Sequence, residues 1–150
     1  MKWFRKDAEQ NVAQAEYNLG DCYRTDEGVT KDQVEAVKWY RKAAEQNVAQ
    51  AQYNLGDCYR TGEGVAKDQV EAVKWYRKAA EQNLAEAQSS LGNCYFHGVG
   101  VADDLVEAYA WSLLAAGQGN TIAKGNLTKM EQSMTHEQIA EGRERAHNPR

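Results

Sequence analysis

The sequence predicts an all-α protein, a solenoid of helix-turn-helix repeats, and three observations carry that prediction. Tryptophan recurs at Trp3, Trp39, Trp75 and Trp111, a spacing of 36 residues. Cysteine at Cys22, Cys58 and Cys94, and the Leu-Gly pair at Leu19-Gly20, Leu55-Gly56 and Leu91-Gly92, recur at the same interval. A fixed period of this length is the mark of a repeat array. The single proline, Pro149, lies at the extreme C-terminus, so no proline interrupts an earlier helix. A chain of 150 residues with 42% hydrophobic content suffices for one domain with a continuous core.

The repeat boundaries follow from the period. Residues 1–11 read as a half repeat, a second helix without its first. Full repeats follow at 12–47, 48–83 and 84–119, and residues 120–150 supply C-terminal capping helices. The first two full repeats differ only at Glu16/Gln52, Asp26/Gly62 and Thr30/Ala66. In each repeat the first helix, helix A, spans about residues 12–25 in the first copy. At about 100° per residue, Val12, Ala15, Leu19, Cys22 and Tyr23 form its core stripe. The segment Asp26-Glu27-Gly28-Val29 ends it, and its counterpart is Gly62-Glu63-Gly64-Val65, where glycine supplies left-handed backbone geometry.

Helix B begins at Asp32 with Glu35 three residues on, the pattern of a capping box, repeated at Asp68/Glu71 and Asp104/Glu107. Its buried stripe is Ala36, Trp39, Tyr40 and Ala43, and small residues such as Ala15, Gly20 and Ala44 allow close helix approach. Glu35, Lys38, Arg41, Lys42 and Glu45 alternate in sign on the opposite side and read as a solvated face. In the tail, Thr135 is the expected N-cap of a closing helix, with Glu137 and Gln138 in its first turn. One hairpin cannot bury its stripe alone, so neighbours must stack.

The positions Ala49, Ala51, Leu55, Gly56, Tyr59, Gly62, Gly64, Val65, Asp68, Ala72, Trp75, Ala79 and Ala80 form a pattern that resembles the Sel1-like repeat, a relative of the tetratricopeptide repeat. The resemblance extends over roughly residues 1–134, and Asp26 departs from it where glycine is usual. It implies a right-handed α/α superhelical solenoid, TPR-like, and an adaptor or scaffold role through contacts with a protein or peptide. The tail resembles the closing helix of bacterial members.

If helix A lines the concave wall, as the related tetratricopeptide fold implies, its non-core face is the candidate partner-binding surface. The helical wheel places Gln14, Tyr17, Asp21 and Arg24 there, flanked by Asn18. The second repeat presents Gln50, Tyr53, Asp57 and Arg60 with Asn54, and the third presents Glu86, Ser89, Asn93, Phe96 and His97. Tyrosine and arginine on a solvent face have the composition of binding hot spots. The competing reading pairs Asp21 with Arg24 locally and lays the tyrosines over the neighbouring repeat.

Other functions find less support. A net charge of −4 without a one-sided basic stripe argues against nucleic acid. No apolar run is long enough for a membrane span, and the opening residues hold no apolar leader segment. The compartment is therefore open: cytoplasmic, or periplasmic after removal of an upstream signal. The cysteines fall on the core stripe, where a thiol behaves as a small hydrophobe. Equivalent positions on stacked hairpins sit about 8–10 Å apart or more, beyond the roughly 7 Å that a disulfide spans. His97, His136 and His147 share no metal-ligand spacing. Gly98-Val99-Gly100 aligns with the inter-helix turn and is expected to be structural rather than a phosphate loop.

No catalytic residue, metal site or cofactor is assigned. An engineered or idealised scaffold without a native partner is the alternative raised by the near-identity of two repeats. A cysteine hydrolase or β-lactam-binding activity, which cysteine-rich relatives imply, lacks a base near any cysteine and a second cysteine per repeat. Trp3 and Phe4, on the unpaired half repeat, motivate a weak two-fold homodimer through the N-terminal end.

Overall fold

The computed structural model describes residues 5–25 and 32–148, with side chains from residue 12 onward. The described residues form eight helices and no strand: α1 (Arg5–Thr25), α2 (Gln33–Glu45), α3 (Ala49–Thr61), α4 (Gln69–Glu81), α5 (Ala85–His97), α6 (Leu105–Gly117), α7 (Thr121–Ser133) and α8 (His136–His147). The all-α hairpin architecture is as expected. The chain divides into two compact units, Met1–Asp68 and Gln69–Arg150.

In the first unit α2 packs against both α1 and α3. Tyr40, Ala36 and Ala43 are fully buried, and Tyr40 explains the recurring Leu-Gly pair. A Cβ on Gly20 would lie 2.8 Å from the Tyr40 ring, so only glycine lets the tyrosine sit against the helix backbone. The α2–α3 turn is closed by Val48 N–H donating to Ala43 O at 3.2 Å, with Asn47 in left-handed geometry at φ 71°. The side chain of Gln52 reaches back and donates to Ala44 O at 3.1 Å and to Asn47 Oδ1 at 3.3 Å.

The second unit repeats this construction. α5 packs on α4 and α6, and α6 packs on α7 and α8. Gln88 donates to Ala80 O and Asn83 Oδ1, as Gln52 does to its own turn. Leu91, Tyr76, Met130 and Ala87 are fully buried. At the C-terminal end, Gly142 of α8 lies against Tyr109, where an added Cβ would approach the ring to 2.7 Å. Arg145 holds Glu107 at 2.7 Å across the same contact.

The caps agree with the sequence in position and differ in detail. Asp32 and Asp104 accept from the backbone N–H of Glu35 and Glu107 at 3.2 and 3.1 Å. The reciprocal half of the expected box is absent, because the Asp32 and Asp104 N–H groups donate instead to Tyr23 O and Tyr95 O of the preceding helix. Glu35 accordingly faces Lys38 at 3.6 Å. The complete box occurs at Thr135, whose N–H and hydroxyl both exchange hydrogen bonds with Gln138.

The first helix is longer than the helix A expected at about residues 12–25. α1 runs without a break from Arg5 to Thr25, through the junction expected near residue 12. Its expected core stripe is also poorly covered: Val12 is 50% exposed, Ala15 is exposed, and Leu19, Cys22 and Tyr23 are half-buried. The buried positions are Ala13 and Gly20, on the side facing α2. Residues 5–11 continue α1 as one helix. Trp3, Phe4, Thr30 and the Asp26–Val29 turn lie outside the described residues.

Candidate functional site

In the first unit the helix-A face is built from α1 and α3. Gln14 donates to Asn18 Oδ1 and Gln50 to Asn54 Oδ1, each at 3.2 Å and one helical turn apart. Tyr17 lies with its ring centroid 5.8 Å from that of Tyr40, and its hydroxyl accepts from Asn54 Nδ2 at 3.5 Å. Asn54 is therefore buried, 3% exposed, which corrects its expected place on an open flank. A helical wheel treats one helix at a time and does not show that Tyr17 of α1 reaches across to α3. Asn18, at the same position in α1, is exposed.

Asp21 accepts a hydrogen bond from the Tyr40 hydroxyl at 2.5 Å. This phenol, contributed by helix B, was not singled out from the sequence. The signal was present in the 36-residue recurrence of Asp21/Tyr40 as Asp57/Tyr76. Burial foremost, and then the Asp21 carboxylate, raise the pKa of Tyr40, and the same two causes raise that of Tyr17. Both shifts favour the neutral phenol. Arg60 pairs with Asp57 at 3.3 Å, the second-repeat counterpart of the local Asp21–Arg24 pair named in the competing reading. Arg60 itself remains exposed, while Tyr53, Gln50, Arg24 and Asp57 are half-buried.

In the second unit α5 carries a different surface. Glu86, Asn93 and His97 are exposed and Phe96 is half-buried. Phe96 and His97 meet edge to face with centroids 4.9 Å apart. Ser89 is only 6% exposed, so it does not belong to the open face. Asn93 stands where Asp21 and Asp57 stand, and Ser112 where Tyr40 and Tyr76 stand, so the phenol–carboxylate pair disappears from both sides at once.

The opposite, helix-B face is less plainly solvated than its charge pattern suggested. Arg41 donates from Nη2 to the Tyr59 hydroxyl at 2.5 Å with its guanidinium 5.6 Å from the ring centroid. Arg77 and Tyr95 repeat the arrangement at 2.6 and 5.5 Å. Arg41 thus bridges two helices, a role invisible in a single-helix projection. Lys42 lies 4.5 Å above the Trp39 ring centroid and Lys78 5.3 Å above that of Trp75.

The groups considered for chemistry occupy structural places. Cys58 and Cys94 are 4% and 9% exposed, while Cys22 is half-buried. Burial pushes the Cys58 thiol up to about 11, against the opposing pull of Arg24. A thiol so shifted is a poor nucleophile at neutral pH. Among the described residues no group of His, Cys, Asp and Glu is placed to hold a metal ion. Gly100, at φ 74°, lies so close to α4 that a Cβ would sit 2.3 Å from Gln69 O. Gly64 stands in the same relation to Gln33 O, at 2.2 Å. These glycines admit a turn against a helix N-terminus.

The family model described as the Sel1 repeat matches three successive segments, residues 13–48, 49–84 and 85–120. The chain belongs to the Sel1 repeat family. It is similar to a Sel1 repeat protein from Oxalobacter formigenes, with 43% identity, a TM-score of 0.76, and coverage of 79% of this chain and 49% of that one. It is also similar to a protective antigen of uropathogenic Escherichia coli that displays an SLR fold. That match has 31% identity, a TM-score of 0.74, and coverage of 97% of this chain and 39% of the antigen.

Cysteine-rich protein B of Helicobacter pylori matches with 26% identity and a TM-score of 0.66, over 81% of this chain and 93% of that one. No curated protein matches. The chain spans half or less of the first two structures, and all three come from bacteria. Sel1-repeat proteins are in general protein-interaction modules, and the family and its SLR-fold neighbours are typically non-enzymatic scaffolds. Among the described residues no helix is long and apolar enough to cross a membrane.

Proposed function

We propose that this chain is an adaptor that binds a peptide or partner protein along the concave helix-A face, with no catalytic chemistry of its own. The observation that carries the reading is the arrangement of Tyr17, Asp21 and Arg24 on α1 beside Tyr53, Asp57 and Arg60 on α3. Half-buried tyrosines there are held by fixed neighbours, Tyr17 by Tyr40 and Asn54. A rigid aromatic surface loses little conformational freedom on binding, and that property makes tyrosine an effective anchor. Gln14, Asn18 and Gln50 border these anchors with amide groups suited to an extended backbone, and Asn54 contributes indirectly by holding Tyr17.

The second unit offers Glu86, Asn93, Phe96 and His97 in place of the tyrosine–arginine set. Each unit therefore presents its own chemistry on its helix-A face. The arginines favour acidic or carbonyl-rich groups near α1 and α3, and Phe96 favours an apolar residue at α5. Protein or peptide is the partner class, and nucleic acid and membrane insertion are outside the reading.

The test is a display selection of random peptides on the immobilised protein, repeated with Tyr17, Arg24, Tyr53 and Arg60 changed together to alanine. The proposal expects a shared motif that disappears in the variant while helical circular dichroism and the melting transition persist. A motif that the folded variant still binds would move the site to another face. No enrichment against the parent protein would count against an extended-peptide ligand.

A further inference from the structure

α7 begins and ends at the positions of α3 and α5 carried on by the repeat, although the Sel1 matches stop at residue 120. The same turn precedes it. Asn120 N–H donates to Ala115 O at 3.1 Å, as Val48 N–H donates to Ala43 O, and Gly119 takes left-handed geometry as Asn47 does. The same positions are buried: Ala123 and Met130 are 0% exposed, where Ala51 and Cys58 are 0% and 4%. α7 is therefore a further helix A. Its Ile122, Gly125, Asn126 and Lys129 occupy the places of Gln50, Tyr53, Asn54 and Asp57.

This face lacks the partners that satisfy its counterpart on α3. Asn54 accepts from Gln50 Nε2 at 3.2 Å and donates to the Tyr17 hydroxyl of the preceding helix A at 3.5 Å. For Asn126 the first partner is replaced by Ile122, which has nothing to donate, and the second by the short Ser89 of α5. Among the described residues the half-buried Asn126 amide makes no side-chain hydrogen bond. Lys129 is exposed and forms no ion pair among those residues, whereas Lys38 and Lys74 hold Glu35 and Glu71. Ile122 is 65% exposed. Gly125 adds no side chain, and a Cβ there would meet nothing within 4 Å. Openness belongs to the face itself, because Glu86 and Asn93 are exposed at the same positions of α5, which has helices on either side.

We propose that α7 holds an extended segment of a partner protein, its backbone on the Asn126 amide, an aliphatic side chain on Ile122 and an acidic side chain on Lys129. The site rests on the reading of the helix-A face as the partner surface and adds a helix which that reading leaves out. A side-chain amide offers one acceptor and two donors, a match for the N–H and carbonyl of an extended backbone. Gly125 gives that backbone room where a tyrosine stands on α1 and α3. Lys129 replaces the aspartates at 21 and 57, so the charge selected at this level is reversed, and the partner group is an anion. Ile122 and Lys129 stand two turns apart, about 10 Å along the axis, which roughly three residues of extended chain span.

Random peptides displayed against the immobilised 150-residue chain test the site. Selected peptides are expected to carry an acidic residue a few positions from an aliphatic one. Their affinity should fall about tenfold on Lys129→Glu, the scale of one hydrogen bond to a charged group. Changing the acidic residue of the peptide to lysine should restore binding to that variant. Asn126→Leu, close in size and without the amide, should cost a similar factor. Lys129→Glu, at an exposed site, carries the test alone should the leucine variant fail to fold. The variant with Tyr17, Arg24, Tyr53 and Arg60 changed to alanine separates this site from the first-unit surface. Peptides that bind that variant unchanged and weaken on Lys129→Glu uphold the α7 site and remove the first-unit surface, and weakening in both upholds both. Peptides that lose the alanine variant but tolerate both α7 changes overturn the proposal and leave the first-unit surface standing. Failure to select any peptide overturns it as well.

Discussion

α1 and α5 hold equivalent places in their repeats, yet α5 is enclosed by α4 and α6 while α1 packs mainly on α2. The shared stripe shows the consequence. Ala87 and Leu91 are fully buried in α5, whereas Ala15 is exposed and Leu19 half-buried in α1. The amino acids at these positions are the same, so burial here is a property of the neighbours and not of the helix. A repeat's stability is in this sense shared with what stands beside it.

Sharpening that contrast begins with the largest effect. Leu91→Ala is expected to cost about 2–5 kcal/mol of unfolding free energy, the range for emptying a filled core site. Leu19→Ala in dilute protein should cost less than half as much, because its surroundings are already open. Urea denaturation of the two variants side by side measures the difference, and equal losses would remove the basis of the comparison.

Gln88→Glu makes α5 resemble α1 at the turn. It removes the donor to Ala80 O and Asn83 Oδ1 and presents a carboxylate to both acceptors. A loss of about 1–3 kcal/mol is expected, the usual penalty for a buried polar group left unmatched. Hydrogen exchange at Gln82–Leu84 should report loosening of that turn. Unchanged exchange there would show that the Gln88 side chain does not hold the turn.

Thiol chemistry gives a smaller and separable effect. In dilute protein at pH 8 a thiol reagent is expected to label Cys22 ahead of Cys58 and Cys94. The folded state holds the Cys58 proton more tightly than the ordinary value of 9.0, up to about 11. Its contribution to stability is therefore intact below pH 9 and is lost as pH rises toward 11. Denaturant midpoints in that window should decline less in Cys58→Ala than in the parent. The smallest effects are expected from Lys38→Ala and Lys74→Ala, within about 0.5 kcal/mol, since their pairs with Glu35 and Glu71 are exposed.

Much of this architecture was legible from period alone. The 36-residue recurrence placed the hairpins and the Asp32 and Asp104 caps, and the tail sequence placed the Thr135 cap. The departures share a cause: each depends on a second helix that a one-helix projection omits. Asn54 is buried because Tyr17 covers it, and Arg41 is bound because Tyr59 meets it. The candidate face was recognised as a set of residues, and the Tyr40–Asp21 bond that braces it became visible only in three dimensions.

The measurement closest to the central claim is a titration of a display-selected peptide against two matched variants. One carries Tyr17→Ala and Tyr53→Ala on the helix-A side, and the other Lys38→Ala and Lys74→Ala on the helix-B side. With folding confirmed by melting, the account predicts a loss of roughly 30-fold or more in the first, the scale of a hot-spot residue, and unchanged affinity in the second. Retained affinity in the tyrosine variant, with loss in the lysine variant, would contradict it.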